Sequence, residues 1–247
     1  MGLVRFDSDY IRRISWVGFT NWIYFITGII KRVFIRLFFL SYYIYEINVY
    51  IMKIALIDNG HGYNTPGKCS PDKSVLEYAY VRKITKGIYD RLTAEGYKCI
   101  LIVPETYDVS LTERARRVNQ YCKQFGTSNC FLISVHLNAA GGDGKWKNAR
   151  DWSGWVYTGA SKNSLKLANI LHDCAKAEGL GIRNPMPNQK YWKANFAILR
   201  RTNCPAVLTE NLFQDNKEDV KILLSPEGEQ KIINLHVNAI KKYIAET

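Results

Sequence analysis

Four histidines, seven prolines and six cysteines are all that the 247 residues contain of these types. The cysteines and the histidines each exclude something. Cys69, Cys99, Cys122, Cys130, Cys174 and Cys204 are scattered with no Cys-x-x-Cys pair. That excludes a disulfide framework and a thiolate metal site, and predicts reduced thiols packed in the interior. No His-Glu-x-x-His or His-x-x-Glu pair occurs, which argues against peptidases that take two metal ligands from one helix. Acidic residues are also in deficit, 22 against 34 basic, for a formal charge of +12. Such a surplus suits a polyanionic partner, whether nucleic acid, an anionic membrane or a cell wall. No nucleic-acid motif accompanies it, so nucleic acid is not an expected partner. With 47% hydrophobic and 23% charged residues, the chain has a globular composition.

Residues 1–51 contain no alanine and no proline, whereas Ile, Phe and Tyr fill 22 of the 51 positions. Residues 14–30 are 17 uncharged, largely apolar positions between basic pairs, near the lower length limit of a membrane span. A second apolar stretch, 37–51, is interrupted by Glu46 and Asn48. The small-residue cleavage site of a signal peptide is missing, so a cleavable leader is not expected. Two readings stand: a membrane anchor, or a stretch upstream of a true start at Met52. Either way residues 1–51 are set apart from a domain over 52–247, which keeps 28 basic against 19 acidic residues.

From residue 53 onward, short apolar runs alternate with helical patterns. Strands are predicted over 53–57, 98–103, 130–137, 155–158, 196–199 and 206–210, and helices over 74–95, 111–125, 161–178 and 226–244. The alternation predicts an α/β fold, a twisted and mostly parallel sheet of about six strands with helices on both faces.

In such sheets ligands gather at the carboxyl ends of the strands. Ile54-Ala55-Leu56-Ile57-Asp58-Asn59-Gly60-His61-Gly62 delivers an imidazole there, and Phe131-Leu132-Ile133-Ser134-Val135-His136-Leu137-Asn138 delivers a second. Two such histidines point to a shared ion. Glu77 is a candidate for an oxygen ligand in a His, Glu, His zinc site, three ligands with a position left open for water. Ser74-Val75-Leu76-Glu77 also reads as a capping box, and Asp58 and Asp72 are nearby acids, so the third ligand stays open at this point. Glu210 ends the apolar run Pro205-Ala206-Val207-Leu208-Thr209. A carboxylate there has no packing rationale but suits a general base. His172 and His236 fall within helices and are expected to pack structurally.

The order of Asn59-Gly60-His61-Gly62, Glu77, Ser134-Val135-His136-Leu137-Asn138 and Leu208-Thr209-Glu210-Asn211-Leu212-Phe213 resembles the zinc-dependent N-acetylmuramoyl-L-alanine amidases of the Amidase_3 type. Leu111-Thr112-Glu113-Arg114 and Gly181-Ile182-Arg183 resemble supporting segments of that family. The resemblance implies Zn²⁺ on His61, Glu77 and His136, with Glu210 as the catalytic carboxylate. Asn138 and Arg183 are candidate substrate-binding residues. It also implies a monomer that hydrolyses the bond between N-acetylmuramic acid and L-alanine in peptidoglycan. The enzyme would act at the bacterial envelope, held there by residues 1–51 or cytoplasmic until released. A non-catalytic wall-binding module and a zinc peptidase on a related scaffold are the alternatives. Trp146, Trp152 and Trp192, in loops rich in Gly, Asn and Lys, are expected to line a glycan groove.

Overall fold

A strand covered on both faces must be apolar at consecutive positions, and Ile54-Ala55-Leu56-Ile57 meets that condition. In the computed structural model, which describes Arg36 and residues 53–247, it forms β1 (Ile54–Asn59), buried throughout. The anchor and upstream-start readings fall, Arg36 apart, outside the described residues. Among those that are described, no helix is long and apolar enough to cross a membrane.

β2 (Lys98–Leu101), β3 (Cys130–Asn138), β4 (Ser153–Tyr157), β5 (Trp192–Ala194) and β6 (Ala206–Phe213) complete a six-stranded sheet in the order β2-β1-β3-β6-β4-β5. Every pairing is parallel except β4 with β6. The helices are α1 (Glu77–Ala94), α2 (Leu111–Phe125), α3 (Lys162–Ala177), α4 (Ala197–Arg200), α5 (Lys217–Leu224) and α6 (Pro226–Ala245).

Strand side chains alternate between faces, and the two cores follow that period. Ala55, Ile57, Phe131, Ile133, Val135 and Val207 pack with α1, α3, α5 and α6. Ile54, Leu56, Leu132 and Leu208 pack with α2 and α4 on the other face. Helices therefore cover both faces, as the alternation predicts. The parallel run β1, β3, β6 brings three carboxyl ends to one edge of the sheet.

Two elements differ from the sequence expectation. Residues 196–199 are not a strand: α4 is a single helical turn that buries Ile198 and Leu199, and the edge strand is β5, a few residues earlier. Its pairing is set by stacking, since Trp192 lies opposite Trp155 with ring centroids 5.3 Å apart and Phe196 packs on the same indole. α5 was not anticipated, although Asn216 caps it by accepting from the Glu218 and Asp219 amides. All six cysteines are free thiols, four of them buried.

Candidate functional site

The turn after β1 is built by close approach. A Cβ on Gly60 would stand 2.3 Å from the His136 ring, and one on Gly62 would stand 1.9 Å from the Asp108 amide nitrogen. Between them His61 adopts a left-handed backbone, φ 57°. Two guanidinium groups hold this turn by its carbonyls. Arg82 donates to the His61 carbonyl at 2.9 Å, and Arg114 donates to the Asn59 carbonyl at 2.6 Å and the His61 carbonyl at 3.3 Å. Gly60→Ala is accordingly expected to displace the His136 ring and lower metal content several-fold while thermal unfolding remains cooperative. Unchanged metal content would show that the ring has room to move.

His61, Glu77 and His136 meet at the sheet edge, each offering a ligand atom, with all three atoms within 4.8 Å of one another. The Glu77 Oε1 lies 3.4 Å from His61 Nε2 and 3.2 Å from His136 Nδ1. Glu77 is fully buried and firmly oriented: Oε1 accepts from the Leu137 amide at 3.0 Å, and Oε2 accepts from the Gln214 side-chain amide at 3.2 Å. The capping-box reading fails because α1 starts at Glu77 itself, with Leu76 as a cap that makes no side-chain bond. Ser74 turns instead to Asp72. Asp58, the other acid in contention, is taken by Arg114 and by the Ser134 hydroxyl.

Glu210 is the register partner of His136 on the neighbouring strand. Just beyond it β6 bulges. Asn138 pairs with Phe213, three residues past Glu210, while on β3 it is two past His136, and Leu212 takes a left-handed φ of 71°. Bulges re-aim side chains and are frequent beside active sites. The Glu210 Oε2 is buried and has no hydrogen-bond partner.

The electrostatics follow from burial and proximity. Burial pushes the His61 imidazole down to about 4, so it is neutral and its lone pair is free. Burial likewise pushes the Glu210 carboxyl up to about 7, against the opposing pull of His136. Burial would raise the Glu77 carboxyl, but its hydrogen bond and charge interaction with His136 carry it below the usual range. His136 is correspondingly raised, its contact with Glu77 outweighing burial. Two imidazole nitrogens and one anionic oxygen form a donor set that fits a divalent metal ion with coordination positions left over.

The remaining candidates are distributed differently. Asn138 ends β3 and turns its Oδ1 back to the Ala139 amide, while its carbonyl accepts from the Gln214 amide. Arg183 stacks on aromatics, its guanidinium carbon 4.5 Å from the Trp192 ring centroid and 5.7 Å from that of Phe213. Trp152 does not line a groove: it is fully buried and donates its indole N–H to Asn211, so its polar edge is satisfied inside the core. His236 is buried and pushed down to about 4 by burial; its Nδ1–H donates to the Ile232 carbonyl, and its Nε2 accepts from Thr209. His172 is buried against Trp152. Sequence reasoning missed Gln214 and Lys68, whose carbonyl accepts from the Glu77 amide at 3.0 Å. Neither carried a signal, because each is one polar residue in a loop.

The chain is 29% identical over 196 residues to an endolysin of Bacillus phage SPP1, covering 78% of this chain and 66% of that one. It is 28% identical over 188 residues to the N-acetylmuramoyl-L-alanine amidase CwlM of Bacillus licheniformis, covering 75% and 66%. The match thus spans about two thirds of these relatives' length. Among solved structures, an N-acetylmuramoyl-L-alanine amidase from Clostridium difficile 630 superposes with a TM-score of 0.69 at 22% identity, over 79% of this chain and 98% of that one. Ami1 from Mycobacterium smegmatis superposes with a TM-score of 0.68 at 18% identity, over the same shares. Residues 55–242 match Amidase_3, the N-acetylmuramoyl-L-alanine amidase family, and the chain belongs to that family.

Proposed function

We propose that this protein hydrolyses the amide bond between N-acetylmuramic acid and L-alanine in peptidoglycan, using a zinc ion held by His61, Glu77 and His136. The observation that carries this reading is the cluster of three ligand atoms within 4.8 Å beside a buried carboxylate with an unpartnered oxygen. Zinc at such a site supplies a Lewis acid that lowers the pKa of water from about 15.7 to about 7. Glu210 takes a proton from the attacking water and returns it to the departing amine of L-alanine. Burial raises the Glu210 carboxyl above the ordinary carboxylate range, which makes it a better proton acceptor for that transfer. Gln214 and the Leu137 amide fix Glu77, so the anionic ligand does not swing between the two imidazoles. The site of action is the cell envelope, and the basic surface favours approach to an anionic wall.

The test is zinc content by mass spectrometry together with release of L-alanine amino termini from purified peptidoglycan, with and without a chelator. The expected result is one zinc per chain and release that chelator abolishes and added zinc restores. Release that is indifferent to chelator would remove the metal from the reading. Zinc without release would leave a wall-binding module.

A further inference from the structure

Asn211 follows Glu210 in β6 and is buried, 1% exposed. Its side chain closes a hydrogen-bond network that joins β3 and β6 to Trp152 and α6. Nδ2 donates to the His136 carbonyl at 3.0 Å and to the Thr209 hydroxyl at 3.1 Å, and Oδ1 accepts from the Trp152 indole N–H at 3.1 Å. Thr209 donates in turn to His236 Nε2 at 3.0 Å, and His236 Nδ1–H donates to the Ile232 carbonyl at 2.8 Å. The two ends fix the direction of every bond. An indole nitrogen only donates and a peptide carbonyl only accepts, so flipping the Asn211 amide would lose its bonds to both Trp152 and His136.

The bond to His136 reaches the metal cluster through a single peptide. The 136–137 peptide is planar, with its carbonyl and N–H pointing in opposite directions. Asn211 holds the carbonyl, and on the other side the Leu137 N–H donates to the Glu77 Oε1 at 3.0 Å. One rigid plane thus ties Asn211 to two of the three ligands, His136 through its own backbone and Glu77 through its carboxylate. A donor on the carbonyl also polarises the opposite N–H and strengthens its hold on Glu77. The strand ladder alone is irregular here: the β3–β6 register shifts between His136 and Asn138, and Leu212, next to Asn211, keeps a left-handed φ of 71°. Backbone strain of this kind persists where the surroundings over-determine it.

We propose that Asn211 is a positioning residue of the metal site, holding His136 and Glu77 in register with Glu210 through the 136–137 peptide. The inference rests on the metal reading of His61, Glu77 and His136 and adds to it a residue buried behind the cluster.

The test compares the wild-type full chain with two Asn211 variants. Asn211→Asp keeps the shape and the acceptor for Trp152 but turns an oxygen toward the His136 carbonyl, and Asn211→Ser is too short to reach that carbonyl. Ile240→Val, at a buried position of α6 outside the network, is the control that lowers stability alone. Zinc affinity is read by competition with a chelator, ligand geometry by the visible spectrum of the cobalt(II)-loaded chain, and kcat and KM on a soluble N-acetylmuramoyl peptide. Both Asn211 variants are expected to bind zinc about 10–100-fold more weakly and to shift the cobalt(II) spectrum. With zinc saturating, kcat should fall about tenfold while KM is unchanged. Ile240→Val should lower the urea midpoint and leave the other readings at wild-type values. Zinc affinity within about threefold of wild type, with an unshifted cobalt(II) spectrum, overturns the positioning role. An equal loss of affinity in Ile240→Val overturns it too, since the effect would then be one of stability. Where Asn211→Asp does not fold, Asn211→Ser decides by the same readings. A wild type that binds zinc but releases no L-alanine overturns the amidase reading, and weaker zinc binding in the variants then still supports the positioning role. A wild type that binds neither metal overturns both.

Discussion

Glu210→Gln is expected to lower peptidoglycan hydrolysis by about 10²–10⁴-fold, the range associated with a positioned general acid or base. Its zinc content and unfolding transition should match those of the wild type. The substitution keeps the shape of the side chain and removes only its capacity to take and return a proton. Because the Glu210 Oε2 has no hydrogen-bond partner, no existing contact is lost. Glu210 also lies outside the group of three residues whose ligand atoms converge, so metal affinity should not depend on it. The loss should therefore fall on kcat, with KM little changed, as expected for an interaction made in the transition state. Turnover within about threefold of wild type would remove Glu210 from the chemistry. A parallel loss of zinc would instead make it a ligand.

What the sequence made legible is governed by how local each signal is. His61, His136 and Glu210 could be named because an apolar run broken by a polar side chain marks the carboxyl-terminal part of a strand, although β3 and β6 run on two and three residues past His136 and Glu210. The parallel order of β1, β3 and β6 places such ends together. Glu77 was ambiguous because Ser-x-x-Glu has the same spelling as a capping box. Only the start of α1 at Glu77, which buries the carboxylate among backbone and side-chain donors, separates the two readings. β5 was illegible for a different reason. It is three residues long and owes its place to indole stacking against a strand far away in sequence. Phe-Ala-Ile-Leu has strand composition but forms a helical turn, since its burial is against α2 rather than in a ladder. Trp152 misled because a tryptophan in a Gly-, Asn- and Lys-rich loop looks exposed until its N–H is seen to reach Asn211.

The second large effect concerns a residue outside the metal cluster. Arg114 is 2% exposed, and its guanidinium donates to Asp58, Asp108 and the carbonyls of Val109, Asn59 and His61. It joins α2 to the end of β1 at the point where the chain turns toward the metal cluster. Arg114→Met retains much of the volume but leaves the Asp58 carboxylate buried with only the Ser134 hydroxyl as partner. Removing one member of a buried ion pair costs about 3–5 kcal/mol, because the other charge is left uncompensated. Urea unfolding should show that loss as a lower midpoint with the slope unchanged. Adding Asp58→Asn to Arg114→Met should recover part of it, since the stranded charge is then gone. The Asn59 carbonyl still lacks its Arg114 donor in the double variant, and the His61 carbonyl keeps only Arg82, so metal affinity should remain weakened even where stability returns. A loss under about 1 kcal/mol in the single variant would place Arg114 with ordinary surface ion pairs. Recovery of stability and metal affinity together would assign both effects to Asp58 and leave the carbonyl clamp without a function.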